Sequence, residues 1–389
     1  MLSIGIYTYS TKPRGSVVHA VSLAEALRFA GHDVTLYALS KTGDTLFRPA
    51  SCRVCLFTAG KAPVESGALI RQRIDEFATG LRAQRPQHDI HHAQDCLAAN
   101  ALLEARAELG GSVVRTVHHV EAFEDAYLAQ CQRRSVEQAD RVFSVSELTR
   151  REVRAEFGRD SAQVGNGVDG ERLRAIAAEP RSIAKRFGIE AGDRVVLSVG
   201  GIEPRKNSLR ALAAVANAFD RVPRLRWIIA GGASIWNHDD YRQRFQERLS
   251  ELPRDLQRRV NICGVVTDPE LAGLYAASEV LLYPSQREGF GLSVLEALCS
   301  GTNVVASNVP PFTEYLDAEC ACLVDPDSVE AMSTALVRLL REPNFAKQLL
   351  CNGERRAALY SWTRCAAEHV AHYRALLAKT VNLCPAAQA

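Results

Sequence analysis

Two glutamates, Glu288 and Glu296, stand with seven residues between them in the stretch REGFGLSVLEALCSGTNVVA, Arg287–Ala306. The preceding run, ASEVLLYPSQ, reads as a buried strand that ends at Pro284. Gly289 and Gly291 flank Phe290, and glycine lets a backbone approach a ligand closely. The spacing predicts a helix from about Leu292, whose first N–H groups have no intrahelical partner and suit an anion. Glu296 falls about a turn and a half inside that helix, and Gly301 suits its C′ position. Carboxylates bind hydroxyls, whereas helix N–H groups bind anions. A sugar joined to a nucleotide through a diphosphate carries both. A tight turn with two solvated glutamates would use the same residues, so this stretch alone leaves both readings open.

The elements that must position these residues alternate along the whole chain. SIGIYTYS, DVTLYAL, CRVCLF, HDIHHA, SVVRTVH and DRVFSVS read as strands in the first half, separated by segments of helical spacing such as VVHAVSLAEALRFAG. RVVLSVGG, LRWIIAGG, RVNICGVV, EVLLYP, TNVVAS and ACLVD continue the rhythm in the second half. Such alternation predicts parallel sheets covered by helices on both faces. A chain of 389 residues exceeds one hydrophobic core. The expectation is two doubly wound domains, 1–165 and 166–361, with a hinge around 165–192 where Asn166, Gly167, Gly170 and Pro180 break periodicity. Ligands in such sheets gather beyond the carboxyl ends of the strands. Four loops lie there: TKPRGS, HHVEAF, GGIEPRKN and SQREGFG.

Bulk properties exclude other classes. A formal charge of +2 gives no nucleic-acid signature. No run of eighteen apolar residues and no secretory leader is visible. The eleven cysteines are odd in number and scattered through apolar segments, which fits reduced thiols in a cytoplasmic protein better than a disulfide framework or a zinc site.

The stretch EGFGLSVLEALCSGTNVVAS resembles the E-x7-E signature of retaining glycosyltransferases of family 4, which have the GT-B fold of two facing Rossmann-like domains. KPRGSVVHAVSLAEALRFAGHDVTLYAL is similar to that family's N-terminal glycine loop, helix and following strand. HHAQDC, RTVHH, NGVD, PRKN and SWTRCAAEHVAHYR fall in the family's order over nearly the whole chain. The resemblance implies that Glu288 binds hydroxyls of the transferred sugar and Glu296 the ribose hydroxyls. Gly289, Phe290, Gly291 and Leu292 would cap the sugar and the distal phosphate with backbone. Gly15 and Ser16 would bring first-domain backbone to the diphosphate. Arg205 and Lys206 would neutralise the departing nucleotide diphosphate, and His118 would sit beside the anomeric centre. A final helix, about 362–389, would cross back onto the first domain. The implied partners are a nucleotide-sugar donor and a glycan, lipid or small-molecule acceptor, with no metal or other cofactor.

Competing readings apply to several of these residues. His118 ends a strand, where a histidine can be purely structural, and Arg205 and Lys206 can form an exposed basic turn. Asp95 either assists acceptor binding or N-caps the following helix. Asp325-Pro326-Asp327 imitates a metal-binding D-x-D, but its place before SVEAMSTAL makes Asp327 the expected cap of that helix. Arg133, Arg134, Arg150, Arg151 and Arg154 could face a membrane. Residues 1–165 hold 20 basic against 19 acidic side chains, which favours solvated surface.

One position departs from the family. An arginine is usual directly after the first glycine of the VG-R strand end, and here that position is Gly201. Arg205 would then substitute, or donor binding or activity would be weakened. The expected reaction is metal-independent hexosyl transfer with retention, by front-face attack. A nucleotide-sugar epimerase and a non-catalytic nucleotide-sugar binder are the alternatives.

Overall fold

The computed structural model describes residues 1–41, 43–63, 65–232 and 238–383. The chain divides into two compact units, residues 1–167 with the segment from Ser361, and Val168–Tyr360. The last six residues of the expected crossing helix, 384–389, lie outside the described residues.

The first unit holds a seven-stranded parallel sheet: β1 (Ser3–Thr8), β2 (Asp33–Lys41), β3 (Arg53–Ala59), β4 (Ile90–Ala93), β5 (Ser112–Val117), β6 (Arg141–Ser144) and β7 (Ala162–Gln163). Their spatial order is β3-β2-β1-β4-β5-β6-β7. The second unit has six parallel strands: β8 (Arg194–Val199), β9 (Leu225–Ala230), β10 (Val260–Gly264), β11 (Val280–Tyr283), β12 (Asn303–Ser307) and β13 (Cys322–Val324). Their order is β10-β9-β8-β11-β12-β13. Both are doubly wound sheets of Rossmann type, and the order reverses beside β1 in one unit and beside β8 in the other.

Period-two burial explains the strands. In β8, Val196 enters one apolar core with Trp227 and Phe245, while Val195 and Leu197 enter another with Tyr275 and Leu281 on the opposite face. In β1, Ile4 and Ile6 pack with Leu23 and Leu27 of the Gly15–Phe29 helix, and Tyr7 turns to Phe77 across the sheet. The helix Trp362–Leu383 completes the first unit, placing Cys365, Ala366, Val370 and Tyr373 in the core that holds Ile4 and Ile6.

Three helices had no clear periodic signal. Glu147–Phe157 buries only Thr149, Val153 and Phe157, and Asp239–Ser250 buries only Phe245. Pro343–Ala357 is similarly polar, burying Leu349, Gly353 and Ala357. Cap chemistry marks the first of them: Ser146 accepts the Thr149 N–H, and Gly158 ends the helix in the left-handed region. The ten cysteines among the described residues are free thiols, including Cys52 and Cys55, which are spaced C-x-x-C at β3.

Candidate active site

In the second unit β8 and β11 are neighbours, with β9 and β12 on their outer sides. The loops after these two strands therefore open at the reversal of strand order. Both loops depend on glycine. Gly200 has φ +125°, and a Cβ there would lie 2.7 Å from Cε of Lys206, so the lysine stem passes directly over it. Gly291 has φ +93° and its Cβ would lie 2.8 Å from Cε1 of Phe312. Gly291 caps the helix Leu292–Cys299, and Gly301 has φ +84° directly after its end. The Phe290 ring stacks on Tyr315 at 4.7 Å, and the Tyr315 hydroxyl donates to the Phe290 carbonyl at 3.0 Å. The backbone from Gly289 to Leu292 is thus held in place before any ligand arrives.

Charge converges on Glu288. Its Oε1 lies 2.6 Å from Nη1 of Arg205 and 2.7 Å from Nζ of Lys206. Arg205 also donates through Nη2 to Glu203 Oε1 at 2.8 Å and through Nη1 to the Arg287 carbonyl at 3.1 Å. The Lys206 ammonium donates to the Tyr283 hydroxyl and lies 4.2 Å from that ring's centroid. Burial would raise the Glu288 carboxyl, but Lys206 and Arg205 outweigh it and hold the group at about 2. Burial opposes the charge on both cations. It lowers the Lys206 ammonium despite Glu288, whereas Glu288 and Glu203 raise the Arg205 guanidinium above its ordinary value. The result is a preformed cluster of two cations on one carboxylate. Arg205, with 41% of its side chain exposed, stands at the mouth, and Lys206, with 14%, lies deeper.

Glu296 occupies a different environment. It accepts the Tyr275 hydroxyl at 2.8 Å, and burial raises its carboxyl. Tyr275 comes from the helix Asp268–Ala277 and escaped the sequence reading, because an aromatic in an apolar helix looks like ordinary core.

The Gly201 position is revealing. Gly201 lines a recess with Gly200, Ser198, Tyr283, Ser285 and Lys206. Arg205, the expected substitute for the missing arginine, pairs with Glu203 and Glu288 beside this recess. Lys206 is the cation that lines the recess. The Asp327 expectation also needs correction. Ser328 caps the helix Val329–Arg341 by accepting the Ala331 N–H, because its side chain sits one residue nearer the first free amide. Asp327 pairs with Arg210 at 3.1 Å and accepts from Gln286 at 3.3 Å.

The first unit presents another chemistry at its loops. Gly15 and Ser16 open the helix Gly15–Phe29, and the cap residue Arg14 makes no side-chain cap hydrogen bond. A Cβ on Gly15 would meet nothing within 4 Å. His118 follows β5, and its Nε2 lies 3.1 Å from Oε1 of Gln94, beyond β4. Its ring packs edge-on against His19 at 4.9 Å. Burial first, then His19 and Arg115, push the His118 imidazole well below its usual range, so it is neutral. Gln94 was not singled out from sequence, yet it fixes the His118 ring. Asp95 accepts the Ala98 N–H through Oδ1 and the Tyr9 N–H through Oδ2, each at 2.8 Å. It caps the helix Cys96–Glu104 and ties down the loop after β1.

The basic patch of the first unit is compensated. Arg133 pairs with Glu137 and Glu156, Arg134 with Glu104, Arg150 and Arg151 with Glu147, and Arg154 with Asp160. Among the described residues no helix is long and apolar enough to cross a membrane.

Comparison with known proteins agrees with this architecture. The model for glycosyl transferases group 1 matches residues 181–356, and that for glycosyltransferase family 4 matches residues 13–172. Phosphatidyl-myo-inositol mannosyltransferase of Mycolicibacterium smegmatis is 28% identical over 92% of this chain and 89% of its own length. O-antigen chain mannosyltransferase B of Escherichia coli is 27% identical, and the match spans 64% of each chain. Among solved structures, HepE of Anabaena in complex with UDP-glucose superposes with a TM-score of 0.75 at 19% identity, covering 98% of this chain and 100% of the other.

Proposed function

We propose that this chain, which matches the models for glycosyltransferase family 4 and glycosyl transferases group 1 over residues 13–172 and 181–356, is a family 4 glycosyltransferase that transfers a hexose from a nucleotide-diphosphate donor to an acceptor hydroxyl with retention of anomeric configuration. The observation that carries this reading is the pair of cations, Arg205 and Lys206, gathered on Glu288 between the glycine loop after β8 and the helix N-terminus after β11.

The transfer breaks the bond between the anomeric carbon and the diphosphate oxygen, and negative charge grows on that oxygen. Arg205, Lys206 and the first N–H groups of the Leu292–Cys299 helix take up this charge. Preorganised donors of this kind commonly supply the largest single share of catalysis. Glu288 holds the cations in place and accepts hydrogen bonds from the sugar's hydroxyls. Glu296, already oriented by Tyr275, accepts from the ribose. No side chain here is assigned as a covalent nucleophile, so the acceptor attacks from the face that the diphosphate leaves, and its proton passes to the departing oxygen. With charge supplied by side chains and backbone, the reaction proceeds without a metal.

In the first unit, neutral His118 accepts or donates hydrogen bonds to a ligand without adding charge, while Gly15 and Ser16 open a helix whose backbone N–H groups suit an anion. The acceptor is a hydroxylated glycan, lipid or small molecule. The names of the relatives include phosphatidyl-myo-inositol and an O-antigen chain, which supports that breadth. UDP-glucose bound to HepE supports a nucleotide-sugar donor. Free thiols fit a reducing compartment, and a cytoplasmic site is part of the same proposal.

The test is a donor panel of UDP-, GDP- and ADP-hexoses scored by nucleotide release, with and without cell extract as acceptor. Acceptor-dependent release from one donor, giving a product with the donor's anomeric configuration, is expected. Release of an inverted product, or none from any donor, would overturn the reading.

A further inference from the structure

Between the helices Gly15–Phe29 and Trp362–Leu383 of the first unit lie three buried side chains with ligand chemistry, His19, Cys365 and His369. One ring nitrogen from each histidine and the cysteine sulfur all lie within 4.8 Å of one another. The hydrogen bonds around them fix the rings. Asn166 donates through Nδ2 to the Val145 carbonyl at 3.4 Å, which turns its Oδ1 toward Nδ1 of His19 at 2.8 Å. That oxygen only accepts, so His19 carries its proton on Nδ1 and a bare lone pair on Nε2. His369 Nδ1 faces the Cys365 carbonyl at 2.8 Å and is protonated by the same reasoning. Both Nε2 atoms are buried and have no hydrogen-bond partner in the described structure. Each desolvated lone pair costs free energy that a ligand would recover, and the Cys365 sulfur lies 3.6 Å from Nδ1 of His369.

We propose that His19, Cys365 and His369 form a structural site for a borderline-to-soft transition-metal ion, Zn²⁺ or Cu⁺, which joins the two helices. Two imidazoles and a thiol are a donor set for these ions and not for Mg²⁺ or Ca²⁺, which require oxygen. A metal-bound histidine usually donates its other ring N–H to an oxygen acceptor, and both rings already do so. Metal uptake breaks the Cys365 S–H bond together with the hydrogen bond it donates to the Gly165 carbonyl at 3.0 Å, forms the sulfur–metal bond and releases the proton to solvent. The thiolate leaves the site neutral with Cu⁺. With Zn²⁺ one positive charge remains, close to the Glu368 carboxylate, which acts on Cys365 and holds the Gly165 N–H at 2.9 Å. Zinc distances of about 2.0–2.1 Å to nitrogen and about 2.3 Å to sulfur set ligand atoms roughly 3.5 Å apart. With the ligand atoms already within 4.8 Å of one another, the side chains need to draw together by no more than about 1.3 Å on binding. No step of the proposed sugar transfer runs through this site.

The full chain, purified under reducing conditions, is loaded separately with Zn²⁺ and with Cu⁺, desalted, and its metal content measured. Co²⁺ serves as a spectroscopic probe. One equivalent of Zn²⁺ or Cu⁺, a thiolate-to-Co²⁺ charge-transfer band and a higher Tm in the loaded protein are expected. Cys365→Ser should remove the band, and His19→Gln and His369→Gln should each weaken retention at least tenfold. The Tm of each variant in chelator provides the folding control. Clearly substoichiometric uptake of both metals, a wild-type Co²⁺ spectrum without a thiolate band, or unchanged metal content in Cys365→Ser would each overturn the proposal.

Discussion

The two units share a strand order and place loops at the same reversal, yet they gather opposite chemistry there. The second unit brings formal charges together, with Glu288 clasped by Arg205 and Lys206. The first brings neutral imidazoles together, with His118 on Gln94 and on His19. Burial explains both outcomes. A buried charge persists when an opposite charge lies within hydrogen-bond reach, as at Glu288. Desolvation, with His19 and Arg115 nearby, leaves the His118 ring uncharged. The fold supplies position, and the local partners decide whether that position carries charge.

The largest expected effect breaks the charged side of this comparison. Arg205→Ala should lower turnover on the order of 10²–10³-fold, the scale for losing one preorganised stabiliser. Arg205→Lys should recover only part, because a lysine cannot grip two phosphate oxygens at once. Gly201→Arg should restore some activity to the alanine variant, since Gly201 lines the recess beside Lys206. A wild-type rate in Arg205→Ala would place that side chain outside the reaction.

A smaller effect separates the two glutamates. Charge-assisted hydrogen bonds contribute about 1.5–3 kcal/mol, roughly 10–150-fold. Glu288→Gln should appear mainly in kcat, whereas Glu296→Gln should appear mainly in nucleotide affinity by titration calorimetry. Equal and negligible effects from both would refute the division of labour.

Acid should distinguish the units next. The folded-state values of His19 and His369, about 4 and about 3, lie below the ordinary histidine value. The unfolded chain therefore binds protons first, and the first unit loses stability as pH falls from about 6.5 toward 4. Glu288 also has a depressed folded value, at about 2, so its contribution is present above about 4.5 and is lost only between there and about 2. Limited proteolysis at pH 5 and pH 7.5 should show the first unit becoming susceptible before the second. Simultaneous cleavage at both pH values would contradict this.

The smallest expected effect is none. Chelation with EDTA should leave transfer unchanged, as measured by nucleotide release. An absolute need for Mn²⁺ or Mg²⁺, removed by changing Asp325 or Asp327, would require a different account of the leaving group.

Much of this was legible in the sequence because the strands are short β-branched runs and the site loops carry glycine. Gly289, Gly291 and Gly301 mark the turn, the helix start and the helix end in residue order alone. Partners far apart in the chain were not legible. Tyr275 reaches Glu296 only because the Asp268–Ala277 helix packs against β8, and Gln94 reaches His118 only because β4 and β5 pair. Neither residue type signals such a role. The polar helices Glu147–Phe157 and Asp239–Ser250 were missed because they bury few residues: Thr149, Val153 and Phe157 recur every four positions but include only two apolar side chains, and Asp239–Ser250 buries Phe245 alone. Ser328 took the cap expected of Asp327, a shift of one residue that either side chain could satisfy by type.

The most direct test of the central claim is the single-turnover transfer rate of Lys206→Ala at saturating donor, measured in chelator. Lys206 is the largely shielded cation that lines the Gly201 recess, and among the described recess residues it alone carries positive charge. The rate should fall on the order of 10²–10³-fold while donor affinity changes less than about tenfold, because the charge it stabilises appears mainly in the transition state. A wild-type rate, or a rate that returns only when a divalent metal is added, would contradict the account.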